Sequence, residues 1–176
     1  VFPATTGSFE PVHGTWGIKA GGRGILRRNF WGKVQGYNDA VDFTGLNVAV
    51  IGVNNRGAAN VAGVEHENIV ALCDVDEAWS GAQREKFPKA AFFTDYRQMF
   101  DKAAKSFDAV VVSTPDHTHA LPACLAMSLK KHVYCEKPMA ETVNEVRHMR
   151  ELAAKYKVVT QMGTQIHAGD NYRRVV

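Results

Sequence analysis

Beyond Gly45, short apolar runs alternate with stretches whose apolar residues recur at helical spacing, a repeat that predicts βαβ units wound around a parallel sheet. Strands are expected at Asn47 to Gly52, Ile69 to Asp74, Ala91 to Thr94, Ala109 to Ser113, His132 to Cys135 and Val158 to Met162. Their Val, Ile and Ala content, without polar alternation, suits strands covered on both faces. Helices are expected at Gly57 to Val64, Ala78 to Phe87, Tyr96 to Lys105, His119 to Leu129, Val143 to Tyr156 and from Asn171 onward. The fifth is the clearest: Val143, Val146, Met149, Leu152 and Ala153 form one apolar stripe, and Thr142 stands where an N-cap belongs.

The first 45 residues have a different texture. They are rich in glycine, contain Pro3 and Pro11, and show no sustained apolar period, which predicts an irregular arm. Phe9, Trp16, Phe30 and Trp31 would dock that arm on the domain or on a neighbouring subunit. Gly21-Gly22-Arg23-Gly24 has the look of a phosphate loop, but no strand precedes it and no Lys-Ser/Thr comes after it. At the other end the last helix would leave Val175 and Val176 uncovered, so more sequence is expected beyond it. The expected organisation is an arm over 1–45 and one α/β domain after it.

Composition narrows the field. With 176 residues, 45% of them hydrophobic, there is material for one domain with a full core and little for a second. The net charge of +3 comes from 21 basic and 18 acidic residues scattered along the chain, without the dense basic block of a nucleic-acid binder. No stretch approaches the roughly 20 apolar residues of a membrane helix, and the start lacks the order of a signal peptide. Cys73, Cys124 and Cys135 lie in apolar runs and are odd in number, which suits buried thiols rather than a disulfide framework. His117, His119 and Cys135 lack the spacing of a closed zinc site, so no metal is expected.

The chemistry gathers at strand ends. Asn47-Val-Ala-Val-Ile-Gly-Val-Asn-Asn-Arg-Gly57 is a strand, a glycine-bearing turn and a helix start, the context in which the dinucleotide fingerprint carries meaning. Gly52 would supply the tight turn and Gly57 the close helix packing, with backbone N–H groups at the helix start holding a pyrophosphate. Asn54 replaces the middle glycine; it tolerates left-handed backbone angles, and its side chain must either swing away from the pyrophosphate or donate to it. The next strand ends in Asp74, about twenty residues on, where a carboxylate accepts from both ribose hydroxyls of NAD and repels a 2′-phosphate. At an effective dielectric of about 20 that repulsion is on the order of 4 kcal/mol, favouring NAD, while Arg56 would soften the preference toward NADP. Asp74 is equally placed to cap the following helix.

Two later strands end in Ser113-Thr-Pro-Asp-His-Thr-His119 and Glu136-Lys137-Pro138, at the edge where open α/β sheets bind ligands. Pro115 breaks the strand, and Asp116 or Thr118 can cap the helix beyond. His117 and His119, taken singly, suit packing better than chemistry. Glu136 and Lys137 could also be a simple surface pair, although Pro138 fixes the turn that presents them.

The order Ala49-Val-Ile-Gly52, Ala71-Leu-Cys-Asp74, Val112-Ser-Thr-Pro-Asp-His-Thr-His119 and Lys131-His-Val-Tyr-Cys-Glu-Lys-Pro138 resembles the N-terminal domain of the Gfo/Idh/MocA oxidoreductases, which include glucose-fructose oxidoreductase and inositol dehydrogenase. The resemblance runs from about Asn47 to the end, and Glu-Lys-Pro after a strand is its most specific element. It implies hydride transfer between a sugar or cyclitol alcohol and NAD, or NADP, with Lys137 at the substrate hydroxyl assisting proton transfer, and Glu136 and Asp116 beside the nicotinamide. A cation there stabilises developing alkoxide. The expected cofactor residues are Gly52, Asn54, Asn55, Arg56, Gly57 and Asp74 toward the adenosine end. Toward the nicotinamide they are Thr114, Pro115, Asp116, His119, Glu136, Lys137 and Gln165, with Gln161 and His167 nearby. Met162-Gly-Thr-Gln-Ile-His167 is similar to a subgroup often exported by the twin-arginine route, so the expected location is cytoplasmic, or periplasmic if such a signal has been lost. The resemblance further implies a doubly wound dinucleotide-binding Rossmann domain over 46–170, over 171–176 the start of a connection to an α+β substrate domain not contained in the chain, and a homo-oligomer assembled through that domain. Two other readings stand beside it: a non-catalytic cofactor-binding or oligomerisation module, and the NAD-dependent glycosidase chemistry of a relative whose members usually depart from Glu-Lys-Pro.

Overall fold

The computed structural model describes residues 9–12, 15–18 and 45–165. The chain divides into two compact units, Gly45–Thr164 and a second made of Val1–Thr44 with Gln165–Val176. The helix expected from Asn171, together with His167 and the Val175-Val176 face, lies outside the described residues, as do Phe30 and Trp31 of the arm.

Within the second unit, β1 (Phe9–Val12) and β2 (Thr15–Ile18) pair antiparallel, Phe9 opposite Ile18 and Val12 opposite Thr15. The arm expected to be irregular therefore contains a hairpin. The signal was local: the two strands are separated by two residues, His13-Gly14, and a glycine in a two-residue connection favours such a turn.

The larger unit is the expected α/β fold. Six parallel strands, β3 (Asn47–Ile51), β4 (Asn68–Cys73), β5 (Ala91–Phe93), β6 (Ala109–Val112), β7 (His132–Glu136) and β8 (Thr160–Gly163), lie in the order β5-β4-β3-β6-β7-β8. The chain starts in the middle, builds outward on one side, crosses over and builds outward on the other, which is the doubly wound Rossmann order. Val48 to Ile51 and all of Ala109 to Val112 are buried, as strands with helices on both faces must be.

The helices are α1 (Arg56–Gly63), α2 (Gly81–Lys86), α3 (Tyr96–Ala103), α4 (Ala120–Ser128) and α5 (Val143–Tyr156). In α5 the expected Thr142 cap is a full capping box: Thr142 Oγ1 accepts from Glu145 N at 3.2 Å and the Glu145 carboxylate accepts from Thr142 N at 2.9 Å. Two boundaries move for identifiable reasons. α2 starts at Gly81 rather than Ala78 because the Asp76 carboxylate accepts from Trp79 N at 2.8 Å and holds a turn ahead of the helix. β8 starts at Thr160 rather than Val158 because Val158 N–H still bonds back to Ala153 O, closing α5.

Strand register aligns the chemically distinctive residues. Ile51 pairs with both Cys73 and Val112, and Val112 pairs with Cys135. The next residues, Asp74, Gly52, Ser113 and Glu136, consequently form one row along the carboxyl edge of the sheet.

Candidate functional site

The row is centred on the glycine turn at the end of β3. Gly52 adopts φ +80°, and a Cβ there would stand 2.6 Å from Ser113 O; at Gly57 it would stand 2.0 Å from Gly52 O. Only glycine fits either place, so the turn stays low and the start of α1 comes close to the strand end. The left-handed asparagine of the turn is Asn55, at φ 48°, and not Asn54, whose expected tolerance of that conformation is not used. In the orientation that satisfies both of its amide atoms, Asn54 faces the loop after β4, donating to Trp79 O at 3.1 Å and accepting from Ser80 N at 3.3 Å; in the opposite orientation its Nδ2 donates to Asp74 Oδ2 at 3.5 Å.

Asp74, half-exposed, accepts from Val53 N at 2.9 Å through Oδ2 and from Asp76 N at 3.1 Å through Oδ1. Asp76, not Asp74, caps the turn before α2, which leaves the Asp74 carboxylate beside the glycine turn. Arg56 points the other way: its Nε donates to Glu136 Oε1 at 3.0 Å, on the opposite side of β3 from Asp74. The expectation that Arg56 softens the selectivity of Asp74 is corrected by that placement.

On the β6–β7 side the sequence-predicted residues separate into two groups. Thr114 is half-buried, Pro115, Asp116, His117 and Lys137 are exposed, and Lys137 leaves β7 through a cis bond to Pro138. His119 and Glu136 are buried, at 1% and 4% exposure, instead of lining an open crevice. Both ring nitrogens of His119 face carbonyl oxygens, Nε2 at 2.7 Å from Thr114 O and Nδ1 at 2.6 Å from Pro138 O, so the imidazole ties the loop after β6 to the loop after β7. Glu136 Oε1 accepts from Arg56 Nε, from Asn60 Nδ2 at 2.9 Å and from Tyr134 OH at 3.3 Å. Asn60 also donates to Ser113 Oγ at 2.7 Å.

Neither Asn60 nor Tyr134 is among the residues that the sequence pattern picks out. The available signal for Asn60 was a polar residue three positions after Gly57, on the face of α1 that packs on the sheet. The expected caps for α4 also differ: Asp116–Thr118 form a 3₁₀ turn, Thr118 Oγ1 donates to Pro115 O at 2.8 Å, and no side chain caps α4.

Gln161 is exposed and donates to Met162 O at 2.9 Å, and half-buried Gln165 belongs to the other compact unit. Cys73 and Cys135, at the ends of β4 and β7, have thiols pushed up to about 12 by burial, so neither offers a thiolate near neutral pH. Among the described residues no group of three or more His, Cys, Asp or Glu is arranged to hold a metal ion, and no helix is long and apolar enough to cross a membrane.

These features fit a dinucleotide. Two positions closed to any Cβ, a helix start without a side-chain cap and a half-exposed carboxylate at the end of the adjacent strand form a cradle across the point where the strand order reverses. The buried Thr114 Oγ1, two residues beyond the end of β6, has no hydrogen-bond partner among the described residues.

Known proteins agree. A family model for the oxidoreductase family, NAD-binding Rossmann fold, matches residues 46–164. An α-N-acetylgalactosaminidase of Shewanella oneidensis is 31% identical over 141 residues, covering 73% of this chain and 29% of the relative. A scyllo-inositol 2-dehydrogenase (NADP(+)) of Bacillus subtilis is 32% identical over 117 residues, 65% of this chain and 35% of the relative. The chain thus spans about a third of the length of these relatives. Among solved structures, the scyllo-inositol dehydrogenase of Lactobacillus casei with bound NAD(H) and scyllo-inositol superposes with a TM-score of 0.67 at 24% identity, over 74% of this chain and 39% of its own, a likeness of fold. The glycine turn, the Asp74 strand end, the Glu-Lys-Pro turn and the family match converge: this chain belongs to the Gfo/Idh/MocA oxidoreductase family and carries its NAD-binding Rossmann domain.

Proposed function

We propose that the chain is the cofactor-binding part of an enzyme that transfers a hydride between a sugar or cyclitol alcohol carbon and NAD. The observation that supports it best is the row along the carboxyl edge, with Asp74 at one end and the Glu136-Lys137-Pro138 turn at the other. They are separated by three strand spacings, roughly 14 Å in all, a span suited to one extended dinucleotide. NAD, when bound, supplies the hydride acceptor. Asp74 holds the adenosine ribose hydroxyls, the start of α1 faces the pyrophosphate, and Thr114 lies toward the nicotinamide. Exposed Lys137 meets the substrate hydroxyl, positions it and assists transfer of its proton as the carbon is oxidised. His119 acts from beneath, tying the two loops that present Thr114 and Lys137, while Glu136 anchors the end of β7 to α1. The small-molecule partner in this reading is a polyol, and self-association runs through a substrate domain.

Fluorescence titration of the purified chain tests the cofactor half. NADH is expected to bind and raise the melting temperature, with NADPH weaker because of the Asp74 carboxylate. If neither cofactor produces a signal, the reading fails. The Bacillus relative named for NADP(+) makes the NADPH arm of that titration informative.

The Shewanella relative favours a second reading, in which transient oxidation by bound NAD eases elimination of a glycoside. The Glu136-Lys137-Pro138 turn weighs toward the first, because glycosidase members usually depart from it. Release of free aglycone by the longer enzyme, with no net NADH formed, would decide for the glycosidase.

A further inference from the structure

The fingerprint places glycine at position 54, and this chain has asparagine there. The backbone does not ask for glycine. Among the described residues positive φ occurs at Gly52, Asn55, Lys130 and Lys157, and not at Asn54.

What the side chain does instead is reach the strand end and loop of β4: in one amide orientation Nδ2 donates to Asp74 Oδ2 at 3.5 Å, and in the orientation that satisfies both amide atoms it closes a circuit. Val53 N–H donates to Asp74 Oδ2 at 2.9 Å, Asp74 Oδ1 accepts from Asp76 N at 3.1 Å, and the Asp76 carboxylate accepts from Trp79 N at 2.8 Å. Trp79 O and Ser80 N then return to the Asn54 amide at 3.1 and 3.3 Å, the Ser80 N–H being shared with Asp76 O at 3.1 Å. Adjacent residues of the glycine turn therefore grip both ends of the loop after β4. That loop has little else to order it: Val75 is 87% exposed and Trp79 56%, and Ser80 is its single buried residue. A segment with so few apolar anchors depends on such hydrogen bonds for its order.

We infer that Asn54 is a positioning residue, lacing the glycine turn to the Asp74–Ser80 loop so that the Asp74 carboxylate is in place before the cofactor arrives. Restoring the fingerprint glycine here weakens NAD(H) binding. The inference rests on the proposal that this edge binds NAD(H). Its physical basis is that ordering done in the free protein need not be done on binding, whereas Asn54→Gly removes two hydrogen bonds and adds backbone freedom.

The test is NADH and ADP-ribose titration of the chain, of Asn54→Gly and of Asn54→Ala, together with amide hydrogen exchange of the cofactor-free proteins. Both variants are expected to lose roughly tenfold in NADH affinity, the size of one to two net hydrogen bonds, with the glycine variant losing more. ADP-ribose is expected to weaken in parallel, and amides 75–80 to exchange faster while those of α5 are unchanged. Glycine-variant binding equal to or tighter than the parent would overturn the inference. So would a loss confined to Asn54→Gly, which would assign the effect to chain flexibility, or unchanged exchange over 75–80. A parent chain that does not bind NADH would instead remove the cofactor reading itself, an outcome visible before any variant is compared.

Discussion

On the β4 side of the sheet, the Asp74 carboxylate is held by backbone N–H groups and stays half-exposed. On the β6–β7 side, the exposed Lys137 follows a strand end that buried Glu136 anchors to α1, in a loop that buried His119 ties to its neighbour. The difference separates two ways of building a binding edge. Where glycines and backbone amides set most of the geometry, with Asn54 and Asp76 lacing the loop, the carboxylate at the strand end stays half-exposed to meet a ligand. Where side chains set the geometry, those side chains are consumed as scaffolding, and only a neighbour reaches outward.

The comparison can be broken most forcefully at Lys137. On the proposed reading, Lys137→Met in a chain that carries a substrate domain is expected to lower polyol oxidation about 10²–10⁴-fold, the usual range for a lost proton-transfer group, while NADH binding to this chain changes little. Equal losses in both measurements would show Lys137 to be a cofactor anchor only. At the opposite end, Asp74→Ser is expected to shift the NADH-to-NADPH affinity ratio by roughly a hundredfold toward NADPH, somewhat less than full charge repulsion because the carboxylate is half in solvent. Competitive titration with both cofactors measures it, and an unchanged ratio would place the ribose elsewhere.

A stability measurement sharpens the contrast. His119→Ala leaves Thr114 O and Pro138 O without their buried partner and is expected to cost about 2–4 kcal/mol, read as a lower urea midpoint at constant slope. Asp74→Ser is expected to cost less, since Asp76 N is exposed and a serine Oγ can still accept from one of the two N–H groups, although Val53 is buried. The smallest effect concerns His132, whose Nδ1 accepts from Val159 N at 3.0 Å and sets β8 against β7. Burial, with some opposition from Asp108, holds this imidazole below its ordinary value of 6.5. The unfolded chain therefore takes up the proton first, so the stability contribution is present above pH 6.5 and is lost as the pH falls below it. His132→Asn should flatten the acid side of a stability-pH curve between about pH 7 and 5; an unaltered slope would mean that another group carries it.

Much of the larger unit can be read from residues alone because its signals are local. Each of the six strands lies within a few residues of its expected place, and α5 matches at both ends, since apolar stripes and the Thr142–Glu145 box act over one or two turns. The β1–β2 hairpin escaped the pattern because, in a glycine-rich stretch, a two-residue connection was the sole cue. In the site, Gly52, Gly57, Asp74 and Lys137 were recognisable because the fingerprint and Glu-Lys-Pro are contiguous motifs. Asn60 and Tyr134 were not: their meaning lies in meeting Glu136, and Asn60 stands 76 residues away from it.

The alternation of strands and helices, the glycine turn and the polar strand ends are dictated by covalent neighbours and side-chain periodicity. That Arg56 turns to Glu136 instead of Asp74, that His119 spans two loops, and that Asn54 reaches the Trp79–Ser80 end of the β4 loop follows once the sheet is assembled. Those outcomes depend on which distant backbone atoms parallel pairing brings within hydrogen-bond reach. A buried polar group takes whatever partner the sheet register sets beside it.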